Sequence, residues 1–205
     1  MLKRRFLSIS LLCLAVAGCA SASPTRTESD VARLTSDKGG IVLMRVDVAG
    51  RPATAAVALA RREDDGRYRQ FRVAYLKFAS DRPDMAGQIE LEAGEYGIVQ
   101  AGTTGGRKAN VFSDGEQKSD GLFNRYYYDR PIVTFRVGPG EVVDIGSLRL
   151  IEGPRARPGS DEKNQFGAEV GPLPRAVLED LEKHNPHLFK RRIVRPMVLA
   201  RAAGG

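Results

Sequence analysis

The chain reads as all-β, an antiparallel β-sandwich of roughly seven or eight strands with one short C-terminal helix. Three features predict this. Between residues 39 and 151, β-branched and aromatic runs alternate with polar residues at the period of a half-buried strand, and turn-forming clusters separate them. Two stretches, Ile89 to Tyr96 and Phe135 to Val142, echo one another as strand, Gly-containing break and strand. The clearest helical stripe, in contrast, is confined to residues 173–183.

The N-terminus comes first. Lys3, Arg4 and Arg5 precede an apolar run from Phe6 to Val16, which ends in Val16-Ala17-Gly18-Cys19. A basic segment, a short apolar segment and small residues before a cut are the layout of a secretory signal. A membrane-spanning helix needs about 20 predominantly apolar residues, and the run Phe6–Ala17, interrupted by Ser8 and Ser10, is too short. A Cys directly after Ala-Gly resembles the signal of a bacterial lipoprotein. That resemblance covers residues 1–19 and implies cleavage between Gly18 and Cys19, with a diacylglyceryl thioether on Cys19. Ala20, where an Asp would follow in proteins held at the inner membrane, resembles lipoproteins sorted to the outer membrane. The rival is a plain secretory signal cut after Ala20 or Ala22.

Removing residues 1–18 from the 205-residue chain leaves 187, enough for a real core. Loss of Lys3, Arg4 and Arg5 lowers the formal charge from +7 to +4. That excess is modest; a nucleic-acid binder would concentrate its basic residues on one element, whereas here most of the excess sits near the C-terminus, and no nucleic-acid partner is expected. Cys13 leaves with the signal and Cys19 is the expected lipid attachment point, so the processed chain has no free thiol for a disulfide, zinc or catalysis. Residues 19–38 are small and polar and read as the lipidated Cys and a flexible tether. As a coil, its 19 residues after Cys19 would span about 25 Å root-mean-square. A short helix near Val31 to Leu34 is only weakly signalled.

The sandwich domain is expected over residues 39–151. Ile41 to Val48 is β-branched and stops at Ala49-Gly50-Arg51-Pro52. Thr54 to Arg61 is alanine-rich and fits a helix by propensity, but its β-rich neighbours and short turns favour a strand. Asp65-Gly66 supplies a hairpin turn into the strand Tyr68 to Phe78. A loop at Asp81 to Asp84 leads to the first echo, which continues to Val99, and the second echo continues to Leu150. Each echo reads as an ordinary hairpin or β-arch, more readily than as a duplicated binding element. Between them, Gly102 to Lys108 has the wrong spacing for a phosphate-cradling loop. Tyr126, Tyr127 and Tyr128 offer a stacking platform for a sugar or small ligand, although such a run more often sends alternate rings inward.

Residues 152–172, rich in Pro, Gly and charge, read as a linker. Residues 173–205 form the C-terminal helix and basic tail. Pro174 suits the first turn, Val177, Leu178 and Leu181 make the apolar stripe, and Asn185-Pro186 ends the helix. The tail segment Leu188 to Arg195 joins basic and apolar residues, a pattern that suits anionic lipid or polyanionic envelope sugars. Solvated charge on an edge strand is its plainer reading. His184 and His187 stand near Glu179, Asp180 and Glu182, but Pro186 breaks the helix that would align them and no third ligand has defined spacing. No metal site, catalytic residue or cofactor is expected.

Leu91 to Tyr96 and Phe135 to Gly146 resemble the strands of transthyretin-like or carboxypeptidase-regulatory-like β-sandwiches, in which a strand, Pro/Ala-Gly-x-Tyr and strand pattern recurs. They are also similar to small proteobacterial lipoproteins of that architecture. The resemblance implies an immunoglobulin-like sandwich without known catalytic residues. The expected role is therefore a non-catalytic lipoprotein held in the outer membrane by palmitate-type chains on Cys19 and facing the periplasm, binding another envelope protein or a cell-wall polymer. An envelope hydrolase using His184 or His187, or a small-ligand or carbohydrate-binding module using Tyr126–Tyr128, is the alternative.

Overall fold

A computed structural model describes residues 25–35, 38–48, 55–76, 84–103, 111–119, 125–153 and 166–200. The expected signal, the Gly18–Cys19 cut and the anchor lie outside these residues. The described chain is mostly β, in two sheets. The first runs β11 (Phe166–Gly171), β10 (Val142–Glu152), β1 (Gly39–Val48), β4 (Gly87–Glu92). A short strand, β12 (Arg192–Val194), shares the β10 edge with β11. The second runs β13 (Val198–Leu199), β9 (Val133–Val137), β5 (Gly94–Thr103), β2 (Ala55–Arg62), β3 (Tyr68–Leu76), β8 (Tyr126–Tyr128), β7 (Gln117–Ser119), with β6 (Val111–Phe112) also on β5.

The alternation seen in the sequence builds one apolar core shared by both sheets. Val42, Met44 and Val46 of β1 and Val143, Ile145 and Leu148 of β10 meet Val57 and Leu59 of β2, Ile98 of β5 and Val133 of β9. Each fully buried aliphatic side chain contributes about 1.5–3 kcal/mol. The alanine-rich segment is a strand: Val57 and Leu59 face this core, while Ala58 and Ala60 pack with Val99 and Tyr128 on the other face of the curled second sheet. Small residues there leave room for the tyrosine rings. A Cβ on Gly97 would meet Pro131 at 2.5 Å.

Both echoes are arches, not hairpins. β4 lies in the first sheet and β5 in the second, and the chain crosses at Ala93; β9 to β10 makes the reverse crossing through Gly138 to Glu141. Inside, β5 pairs antiparallel with β9, whereas β1 inserts between β4 and β10. This corrects the expectation of purely antiparallel pairing. β10 returns from its arch in the direction of β1, so β1–β10 is parallel, as is β10–β12. The parallel pairing is allowed because most of the domain separates the two strands.

Three further expectations change. The range 152–172 includes β11, a strand on β10, and Phe166 is buried edge-on against Phe112 (5.4 Å). The tail likewise contributes β12 and β13, lacing the first sheet to the second. The tether range includes α1 (Glu28–Leu34), closed by a reciprocal cap in which Thr27 Oγ1 accepts from the Asp30 N–H (3.2 Å) and the Asp30 carboxylate accepts from the Thr27 N–H (3.1 Å). With α2 (Arg175–His184) and α3 (Pro186–Arg191) it forms a helical layer on the outer face of the first sheet. Val31, Val177, Leu181 and Leu188 are buried there against Ile41, Leu43 and Val142. α2 stops at Asn185-Pro186, where the sequence places its end.

Candidate functional site

The described chain enters the body beside the helical layer. The Arg26 N–H donates to Asn185 Oδ1 (2.8 Å), its Nε donates to Gln88 Oε1 (2.7 Å), and its guanidinium pairs with Glu90 (3.0 Å). Asn185, only 1% exposed, is the residue between α2 and α3. The entry point is therefore fixed to β4 on one side and to the start of α3 on the other.

The basic tail follows directly. Lys190 and Arg191 are exposed at the end of α3 and form no ion pair among the described residues. Arg192 is folded back: its guanidinium covers the Phe189 ring at 4.5 Å, and its Nε lies 3.3 Å from Asp144 Oδ2 without hydrogen-bond alignment. Ile193 and Val194 are 44% and 58% exposed on the edge strand. Arg195 grips the second arch with a two-pronged pair to Glu141 (2.8 and 3.0 Å). Two of the four cations between Leu188 and Arg195 thus serve the fold.

Their carboxylate partners respond in opposite directions. Hydrogen bonds from Arg195, and a lesser one from the Gly138 N–H (2.6 Å), hold Glu141 below its ordinary range. Burial pushes Asp144 up, against the N–H of Gly146 on Oδ1 (2.9 Å) and the nearby Arg192. Asp144 sits at a β-bulge, where Leu43 faces Asp144 but Arg45 faces Ser147.

Two open clefts lie beside β5. One, about 300 Å³, is bounded by Arg61, Phe71, Glu92 and Tyr96. The other, about 380 Å³, is bounded by Arg62, Tyr68, Glu95, Arg136 and Arg195. Adjacent strand residues point to opposite faces, so Arg61 and Arg62 serve one cleft each. Arg61 pairs with Glu92 (2.9 Å) and Arg62 with Glu95 (2.8 Å). The Tyr96 hydroxyl donates to the Glu92 carbonyl (2.7 Å), binding the first arch together. These clefts are formed by residues far apart in the chain, and sequence reasoning missed them; the one local signal is Arg61-Arg62 at the end of an alternating run.

The tyrosine run alternates. Tyr128 is buried, its hydroxyl donates to Gln70 Oε1 (3.0 Å), and burial pushes it up to about 12. Tyr127 lies beneath the Arg67 guanidinium (4.8 Å to the centroid), and Tyr126 is 38% exposed. His184 Nδ1 is 3.0 Å from Asp180 Oδ1 within α2, while His187 lies in the first turn of α3. Among the described residues, no group of three or more potential ligands is placed to hold a metal ion, and no helix is long and apolar enough to cross a membrane. No protein-family model, curated protein or solved structure matches the chain.

Proposed function

We propose that the chain is a lipid-anchored, non-catalytic protein of the bacterial outer membrane. It carries an immunoglobulin- or transthyretin-like β-sandwich on the periplasmic side and binds another envelope protein or a cell-wall polymer. The observation that carries this reading is Val16-Ala17-Gly18-Cys19 behind a short apolar run, six residues before the chain is tied to the body at Thr25-Arg26. Three acyl chains, at about 0.8 kcal/mol per buried methylene, would make the attachment effectively permanent. The arginine-bearing clefts and the exposed Tyr126 offer surfaces for a partner, with the charges of Arg61 and Arg62 already balanced by acids.

Fractionation of cells expressing Cys19→Ser tests the anchor. The substituted chain should leave the membrane pellet, and intact-mass analysis of the unsubstituted chain should show cleavage before Cys19 plus acyl mass. An unacylated native chain, or undiminished membrane recovery of Cys19→Ser, overturns the proposal.

A further inference from the structure

We propose that the cleft of Arg61, Phe71, Glu92 and Tyr96 seats one uncharged pyranose ring of a glycan chain, its C–H face stacked on Phe71. This takes the polymer arm of the proposed function and rests on that reading for where the chain would meet a glycan. The backbone leads to it. Along β2 and β3, Leu59 faces Arg72 and Ala60 faces Gln70, so Phe71 has no partner and is the extra residue of a β-bulge. A bulge re-aims a side chain away from its place on the ladder. Here the ring stands 5.7 Å from that of Tyr96, tilted by 50°, and Tyr96 is in turn stacked on Phe135 at 5.7 Å. Tyr96 and Phe135 are buried. Phe71 is 47% exposed, the only exposed phenylalanine among the described residues. The row of rings thus ends in an aromatic group open to the cleft.

What surrounds that ring selects the ligand. Every charged group lining the cleft has its counter-charge: Arg61 with Glu92 (2.9 Å), Arg69 with Glu63 (2.7 Å) and Glu90 with Arg26 (3.0 Å). Arg72, at the rim, donates to the Glu90 carbonyl of β4 (3.2 Å). A free ion therefore finds no unmatched partner among the lining residues, and a peptide adding as a strand finds that edge of β4 occupied. The pairs still have hydrogen bonds to offer. Arg61 donates to Glu92 and to the Ala93 carbonyl (3.2 Å), and Arg69 to Glu63; a guanidinium has N–H groups beyond these. Glu90 and Glu92 are exposed carboxylates with lone pairs to spare. Donors and acceptors thus surround an aromatic face, which matches a neutral polyol. Its hydroxyls both give and take hydrogen bonds, and its weakly positive C–H groups suit the negative face of the ring. The volume, about 300 Å³, is at the small end for ligand sites and suits one sugar ring rather than a run of them.

The chain has no tryptophan, so Phe71→Trp places a single indole in the cleft and keeps an aromatic face there. Tyr126→Trp, on β8 and 38% exposed, is the reference. The probe is the neutral tetramer of N-acetylglucosamine, added to the protein as purified from cells, in a detergent without a sugar headgroup. Emission of Phe71→Trp should shift to the blue and saturate, while that of Tyr126→Trp stays unchanged. Phe71→Leu keeps apolar bulk against Tyr96 but has no ring face. By calorimetry it should bind the tetramer about tenfold more weakly than the unsubstituted chain, the size of one lost aromatic stack, and Phe71→Tyr should restore the affinity. Circular dichroism checks the fold, and the fluorescence pair decides alone if Phe71→Leu does not fold. No saturation with Phe71→Trp, an equal response with Tyr126→Trp, undiminished binding by folded Phe71→Leu, or binding confined to an anionic oligogalacturonate overturns the proposal. Intact mass of the same sample reads the acyl anchor separately, so a failed anchor and an empty cleft are told apart.

Discussion

Gly146 and Gly66 share a left-handed backbone, with φ of +84° and +82°, but not the same surroundings. A Cβ on Gly66 meets nothing within 4 Å, whereas one on Gly146 would stand 2.2 Å from the Gly171 carbonyl oxygen of β11. Gly66→Ala should therefore cost only the conformational penalty of an L-residue with positive φ, about 1 kcal/mol. Gly146→Ala adds a collision with backbone that a rotamer change cannot relieve. β11 must move off β10, weakening the Ser147–Gly171 and Leu148–Val170 pairing, and the total should reach about 3 kcal/mol. With a urea m-value of about 2 kcal/mol/M, the midpoint of Gly146→Ala should fall about 1 M below that of Gly66→Ala at unchanged slope. The signal-free chain unfolded in urea, followed by circular dichroism, measures this. Equal midpoints for the two variants would refute the seating of β11 at the bulge.

Val31→Ala should cost about 2 kcal/mol by leaving a void under α1, and limited proteolysis should then cut within residues 25–35 sooner. The Glu141–Arg195 pair predicts a pH dependence. The folded carboxyl is held low, so its stabilisation is complete above the unfolded value near 4.5 and is lost as pH falls through the folded value. Glu141→Gln should lower the urea midpoint at pH 7 and flatten its decline below about pH 4. Asp144 has the opposite sign: burial raises its folded pKa, so its contribution is complete below the unfolded value near 3.8 and is lost as pH rises through the folded one. The stability of the unsubstituted chain relative to Asp144→Asn should therefore fall as pH climbs from about 4; a relative stability that rises would contradict the burial of that carboxylate.

Most strands were legible because a side-chain period of two is written locally. Val42, Met44, Val46 and Val48 spell the core face of β1 in sequence order. Partners are a different matter. The breaks at Ala93-Gly94 and Gly138–Gly140 look alike whether the chain folds back within a sheet or crosses to the other, since both need a sharp change of direction near glycine. β11 was hidden by composition: Gly167 and Gly171 suggest a linker, yet Gly171 brings its carbonyl where only Gly146 leaves space. β12 was hidden by charge, because Arg192 and Arg195 read as solvated while their acids stand some fifty residues away in sequence. The tail's mixed character was plain from Lys190 to Val194. Its closeness to the chain's entry was not, because that depends on Arg26 meeting Asn185, Gln88 and Glu90, all distant from it in sequence.

The folded helix α1 changes what the N-terminal region can do. As a coil from residue 20 to 38 it would let the body sample every orientation at a standoff near its own radius. With Val31 buried and Arg26 fixed on β4, the chain from Arg26 onward belongs to the folded body, so the proposed anchor at Cys19 would stand only six residues from Thr25. The tail is fixed by the same body. β12 and β13 complete both sheets, and Arg195 clamps the second arch, so Lys190 and Arg191 are presented by a rigid element. The cleft of Arg62, Glu95 and Arg136 stays open beside the second sheet, and it is the surface on which the proposed envelope partner, where it is a protein, would meet the molecule.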